Sequence, residues 1–522
     1  MLGPRWMWGL AGVAAAAVAI GAAELSAALL GGSSIIVAVG NLVISLQPPG
    51  AKDLMVALFG TNDKLALEIM VLIGGLLLGG VLGLMARSDM RSAMAGFAVF
   101  GVVGIFLVLQ DPLANLLPSV ASAVIAVVAG VATLAWLGRM IDRLFRPRPG
   151  DAGLEPITTD AAPSPPGQPF ARRSFLALGG MLVAAGGVFA FFGRYLSTQL
   201  PSDVGPAPSI PPPSETLPPI ANGSDFGIEG LSPIVVPNDD FYRIDTALSV
   251  PRIDSATWTL RIHGMVNQEV ELTYADLLAM PMVERYITIS CVSNEVGGYL
   301  VGNAKWGGVS LMSVLDMAGV QPGASQIVGR SFSWTCGFPT AHLHGAGREA
   351  LVAVSMNGEP LPAAHGFPAR LIVPGLYGYV SATKWLTDIE LTTLDAFDAY
   401  WVPLGWAKEA PILTQSRIDV PRHGTSLTAG PVTVAGVAWA PTRGISRVET
   451  QLDEGVWQPA ELSVPLSEYT WVQWRATVDV PVGEHTLRVR ATDGTGETQT
   501  AERTAPAPDG ARGHHQVRVA AS

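Results

Sequence analysis

Five apolar stretches before residue 200 constrain this chain more than any other feature. Four of them, about 8–30, 65–86, 92–110 and 118–138, are each long enough to cross a bilayer as a helix. The fifth runs from Phe175 to about Phe192 without a charged residue. A weaker run, Ser34 to Leu46, is too short to span and reads as interfacial or re-entrant. Arg5, then Arg87 and Arg91, then Arg139, Arg143, Arg146, Arg148, Arg172 and Arg173 fall on one side of successive spans, with Lys52 and Lys64 opposite. The positive-inside rule therefore predicts a multi-pass cell-membrane protein, its N-terminus in the cytoplasm and everything after the fifth span outside. Gly75, Gly79 and Gly83 form a small-residue stripe suited to helix packing. Glu24 is the candidate for a functional intramembrane charge, with snorkelling to the outer surface the alternative.

Composition sharpens this partition. The chain is 49% hydrophobic and 14% charged, and the apolar excess lies before residue 200. A net charge of −11, with no long Lys/Arg run, argues against a nucleic-acid partner. All eight histidines follow residue 260, so the membrane region has none to ligate a haem. The reading is multi-domain: a four-helix membrane region over 1–145, a cytoplasmic linker over 146–173, a fifth transmembrane helix over 174–196, and a Pro-rich linker over 197–224. An α+β domain follows over 225–400, then an Ig-like β-sandwich over 401–503 and a disordered tail over 504–522. Arg172-Arg173-Ser174-Phe175-Leu176 serves as a positive flank and also resembles the bacterial twin-arginine export signal, which carries folded proteins.

Cys291 and Cys336 are the two cysteines, and they form no CxxC. That argues against a cysteine-ligated zinc or iron–sulfur centre and leaves a disulfide open for an exported domain. Cys291 ends the strand-like Ile287-Thr288-Ile289 run, before a loop rich in Asn and Gly. Taken singly, the polar residues here have ordinary explanations: Arg243 as a surface base, His365 as a turn cap, Arg370 as the exposed start of a Leu-Ile-Val-Pro strand.

Taken in order, Cys291-x-x-Asn294, Asn303-x-x-Trp306-x-Gly308, Met356-Asn-Gly-Glu-Pro-Leu-Pro, His365-Gly-Phe-Pro-x-Arg370 and Lys384-Trp-Leu resemble the sulfite oxidase family of molybdenum enzymes, over roughly 235–500. The resemblance implies a molybdopterin-binding catalytic domain over 225–400, a dimerisation-type domain over 401–503, and Mo-molybdopterin as cofactor. It makes Cys291 the thiolate on molybdenum, a role that suits a soft ligand. By the same resemblance the cofactor is held by Asp239, Tyr242, Arg243, Asp245, Thr246, Ser331, Ser333, His365, Arg370, Ser381, Thr383 and Lys384, and Arg443 reaches the substrate anion. Glu295 and Val296 stand where sulfite oxidases proper place substrate-holding arginines, and a carboxylate there repels an oxyanion. The implied activity is two-electron oxygen-atom transfer on a small substrate outside the cytoplasm. The electron partner is quinone-linked or a cytochrome, the anchor is membrane lipid, and the C-terminal domain forms a homodimer. Sulfoxide or N-oxide reduction and a non-catalytic surface binding protein are the alternatives.

Overall fold

The computed structural model describes residues 3–47, 55, 58–59, 62–110, 114–145, 168–199, 208–332, 334–344 and 349–522. They fall into two compact units, Met1–Asp203 with Ala247–Ser249, and Val204–Thr246 with Val250–Ser522.

In the first unit, helices Arg5–Leu30, Asp63–Ala86, Met90–Val108, Leu116–Phe145 and Gln168–Gln199 each contain a stretch long and apolar enough to cross a membrane. The helix Arg5–Leu30 is central because its inward face is small. A Cβ on Gly12 would overlap Gly79 O, and one on Gly83 would overlap Trp8 O, so the glycine stripe brings two backbones into contact. Met7, Trp8, Leu134, Leu137, Ile141 and Phe175 fill the interior. The outward faces carry apolar side chains such as Leu77, Val102, Val128, Met181 and Phe191.

The short run after Ser34 is the helix Ile35–Leu46, capped by the Ser34 hydroxyl, which accepts from Val37 N at 3.2 Å. Glu24 does not snorkel. It is 3% exposed, and its Oε1 accepts from Ser34 Oγ (2.8 Å) and Ile36 N (3.4 Å), at the positive end of that helix. The expected linker 146–173 is also revised: 146–167 lie outside the described residues, and helix begins at Gln168, so Arg172 and Arg173 sit on its first turns.

The second unit is α+β followed by β. One sheet of the α+β part runs Val270–Thr273, Thr259–Gly264, Asp388–Thr392, Gln326–Arg330, Thr335–Pro339, with one parallel pair. The other runs Met282–Ser290, Val301–Ser310, Leu351–Met356, Glu359–Pro360, and Arg370–Ile372 pairs with Leu351–Met356. The Pro-rich stretch is a tether over less of its length than the composition suggests. Ser214 N donates to Met282 O (2.8 Å), Glu215 bridges Val283, and Val464 N donates to Gly223 O (3.0 Å).

The C-terminal part has a four-stranded and a five-stranded sheet around Ile418, Val434, Val448, Trp474, Leu487 and Val489. The expected disordered tail over 504–522 is corrected. His515–Ala521 is a strand between Gly483–Asp493 and Thr425–Leu427, and it buries Val517, Val519 and Ala521. Its alternating apolar residues give it a core face that a charged, Pro-containing approach conceals.

Candidate active site

Asn357 and Gly358 turn the strand Leu351–Met356 back into Glu359–Pro360, both at positive φ (54° and 85°). Asn-Gly suits such a two-residue turn. The Asn357 amide reaches outward, donating to Val236 O (2.8 Å) and Asn238 Oδ1 (2.9 Å) and accepting from Lys305 N (2.9 Å). Asn303 holds the same incoming segment through Nδ2 to Ile234 O at 2.7 Å. Residues 234–246 are thereby laid across the second sheet, and they bring Tyr242, Arg243, Asp245 and Thr246 to a pocket of buried cations.

His365 ends the short turn Ala363–His365 and is 5% exposed. Its Nε2 lies 2.9 Å from Asn238 O, and burial lowers its pKa to about 4. The ring is therefore neutral near pH 7 with the proton on Nε2, because a carbonyl can only accept. Nδ1 is left as a buried acceptor without a partner. Arg370, 4% exposed, is not the surface strand-end of the ordinary reading. Its Nη1 donates to His365 O (3.1 Å), its guanidinium lies 5.1 Å from the Trp306 ring centre, and its Nε is buried without a partner. Burial pulls its pKa to about 10.

Lys384 precedes Trp385, which adopts φ 54°, a strained value for a residue with a Cβ. The Trp385 indole donates to Ala363 O (2.9 Å) and fixes that conformation. Lys384 Nζ donates to Asp245 Oδ2 and Ala364 O, both at 3.0 Å, and burial draws its pKa to about 7. Asp245 also accepts from Arg243 Nε at 2.8 Å. Arg243 and Lys384 thus share one carboxylate, which Arg370 feels only electrostatically. Thr246 Oγ1 is a third buried atom without a partner. Burial raises the Tyr242 phenol, which also feels both Cys291 and Arg370 electrostatically.

Cys291 follows the strand Met282–Ser290 in a closed loop. Cys291 N donates to Leu300 O (2.9 Å), Asn294 Oδ1 accepts from Leu300 N (2.8 Å), and Cys291 Sγ lies 2.9 Å from Ser293 Oγ. No disulfide joins the two cysteines. Cys336 is fully buried, burial pushes its thiol up to about 11, and Thr383 Oγ1 lies 2.6 Å from its sulfur. Beyond the loop, Glu295 and Val296 line an open cavity of about 290 Å³ with Arg503, Thr504, Ala505, Pro506 and Ala511.

Residues 247–401 match the family described as the oxidoreductase molybdopterin binding domain, and 409–506 match the Mo-co oxidoreductase dimerisation domain. Residues 247–506 belong to the sulfite oxidase-like molybdopterin oxidoreductases. Human mitochondrial sulfite oxidase is 30% identical over 305 residues, covering 49% of this chain and 55% of that protein. Nitrate reductase (NADH) 1 of Oryza sativa subsp. japonica is 27% identical over 315 residues, covering 48% of this chain and 34% of that one. The solved sulfane dehydrogenase SoxCD from Paracoccus pantotrophus is 25% identical, with a TM-score of 0.45 over 52% of this chain and 76% of that one. The chain spans little more than half the length of the sulfite oxidases it matches.

The cofactor of this sulfite oxidase-like region is Mo-molybdopterin. The cation pocket fits such a group. An excess of buried positive charge suits a phosphate, and the unpartnered Arg370 Nε, Thr246 Oγ1 and His365 Nδ1 supply two donors and an acceptor. Other expected cofactor residues fare differently. Ser381 Oγ donates to Leu376 O (3.1 Å) and Tyr377 O (3.0 Å), and Thr383 is engaged with Cys336, so both hydroxyls serve the fold. Ser331 closes a turn with Trp334 O at 3.3 Å, Asp239 is exposed, and Ser333 lies outside the described residues. Arg443 donates to Asp493 Oδ2 (2.8 Å) and Ile412 O (3.0 Å). Burial would raise the Asp493 carboxyl, but hydrogen bonds from Thr495, Arg443 and Thr414 outweigh it and hold the pKa at about 2. That standing ion pair leaves Arg443 poorly placed to meet a substrate anion. Sequence reasoning missed Tyr377, whose phenol burial pushes up to about 12 within electrostatic reach of Cys291. It carries no motif signal beyond lying two residues after Gly375.

Proposed function

We propose that the chain is a membrane-anchored molybdenum-cofactor oxidoreductase that performs two-electron oxygen-atom transfer on a small substrate outside the cytoplasm. The observation that carries this reading is the buried, under-compensated cation pocket beside the Cys291 loop. Bound there, the cofactor supplies a two-electron redox centre able to give or take an oxygen atom. Arg370, Lys384 and Arg243 hold its phosphate, His365 Nδ1 accepts from the pterin, and the Tyr242 phenol stays protonated beside it. Cys291 holds the metal, while Cys336 keeps its proton and packs the interior.

The substrate carries no net negative charge. Glu295 and Arg503 line one cavity with opposite signs, and Arg443 is matched by Asp493. An uncharged sulfoxide or N-oxide suits that lining better than sulfite, which favours the reductive direction. The five apolar helices anchor the unit in lipid with the N-terminus inside, and Arg172-Arg173 starts export of the folded, cofactor-loaded domain. The C-terminal domain is an Ig-like dimerisation module, and electrons come through a quinone-linked or cytochrome partner.

Cys291→Ser is expected to abolish turnover of sulfoxide with a dye donor while preserving the denaturation midpoint, whereas Cys336→Ser keeps turnover. A dead Cys336→Ser and an active Cys291→Ser would overturn the ligand assignment. Molybdenum below about a tenth of an atom per chain, from a host that makes the cofactor, would favour a non-catalytic binding protein. Sulfite turned over in preference to sulfoxides would refute the charge reading. Replacing Arg172 and Arg173 together by lysine keeps a positive-inside flank, so protease accessibility on intact spheroplasts isolates the export signal.

A further inference from the structure

The Cys291 loop is gripped on its far side by the C-terminal domain. Gly298 O accepts from Arg417 Nη1 at 2.7 Å, and the same guanidinium lies 4.6 Å from the Tyr299 ring centre. Arg417 belongs to the strand Gln415–Val420 and is fixed by Asp419 Oδ1 (2.6 Å) and Ser232 Oγ (2.8 Å). One residue earlier, Gly297 sits at φ 81° against the His515 imidazole, so closely that a Cβ there would overlap the ring. His515 opens the strand His515–Ala521, and its Nδ1 accepts from Ile418 N at 2.9 Å. Burial lowers its pKa to about 4, so the ring is neutral near pH 7 and able to accept.

The grip reaches the sulfur because the loop is closed on itself. Cys291 and Leu300 are joined through the backbone, and the Asn294 side chain bonds Leu300 N from inside. Displacing 297–299 therefore displaces Cys291, as hydrogen-bonded loops move as units.

We infer that Arg417 and His515 are positioning residues for Cys291, so that the C-terminal domain sets where the thiol stands. Its consequence for catalysis rests on Cys291 being the metal ligand; the grip itself does not. The test uses full-length chain in detergent, from cells grown without molybdenum, and reads the alkylation rate of Cys291 by iodoacetamide with the modified residue mapped by mass spectrometry. Arg417→Lys keeps a charge for Asp419 but loses the fork that spans Asp419, Ser232 and Gly298. Gly297→Ala pushes the loop off His515 and leaves the Arg417–Asp419 pair intact. Below the melting temperature of each variant, both should alkylate about fivefold faster than the parent, a shift in local opening that a purely structural role would not produce. Parental rates in both folded variants would overturn the inference. Acceleration in Gly297→Ala alone would remove Arg417 from it, and acceleration in Arg417→Lys alone would remove His515. A Cys291→Ser protein that kept its molybdenum and turnover would sink the ligand assignment while leaving this alkylation result standing.

Discussion

Arg370 in the cation pocket and Arg417 in the C-terminal domain are hidden to nearly the same degree, 4% and 2% exposed. Their surroundings differ in kind. Arg417 meets a carboxylate, a hydroxyl and a carbonyl, and lies against a tyrosine ring. Arg370 has one carbonyl and a tryptophan face, with Nε left over and Lys384 close by. A buried charge is tolerated where the fold completes its bonding, and points to a guest where it does not. Burial alone marks nothing, and neither does an unmet donor, since Trp439 and Trp474 also bury one; the combination on a charged group marks the site.

The contrast is tested hardest at Arg417. Arg417→Met should destabilise the protein by about 3–5 kcal/mol, because Asp419 stays buried without its partner. Adding Asp419→Leu should recover most of that loss in chemical denaturation. A single-variant cost below about 1 kcal/mol would erase the distinction between the two arginines. Arg370→Ala should act on the cofactor instead, weakening its retention by about 2–5 kcal/mol, since a phosphate charge would lose its partner in a partly dry site. The cofactor-free variant should denature no earlier than the parent, because the mutation removes an incompletely bonded charge. Full cofactor content in that variant would return Arg370 to an ordinary structural role.

A weaker handle is pH. Burial draws Lys384 from its ordinary 10.5 to about 7, so between those values the unfolded chain holds a proton that the cofactor-free fold has released. Stability of the cofactor-free protein should therefore rise with pH across that window. Cofactor retention should run the other way above about pH 7, because a bound phosphate favours the protonated lysine. Denaturation and cofactor-release series sharing one slope would contradict a phosphate partner for Lys384. The smallest effect is expected at Thr383→Val, which should cost about 1 kcal/mol of stability and leave cofactor content unchanged, since its hydroxyl is bonded to the fold.

Much of this was legible where a residue's role follows from its near neighbours. The apolar runs announced the helices, and His365, Arg370 and Lys384 fell within short ordered motifs that the fold brings together. What escaped was set at long range. Arg443 looked available to an anion until Asp493, fifty residues on, was seen to bond it. The hydroxyls of Ser381 and Thr383 point into the fold because of backbone and sulfur partners that no local pattern reveals. The grip of Arg417 on Gly298 joins residues 119 positions apart.

The strand His515–Ala521 has a practical consequence. It lies inside its sheet, so trimming the protein at residue 506, where the matched family region stops, removes a central strand. The strand Gly483–Asp493 would then offer a bare hydrogen-bonding edge beside an opened apolar core, the arrangement that pairs with other chains and aggregates. A shortened version of this protein that precipitates on expression would be reporting that missing strand, and the remedy is to keep the chain through Ser522.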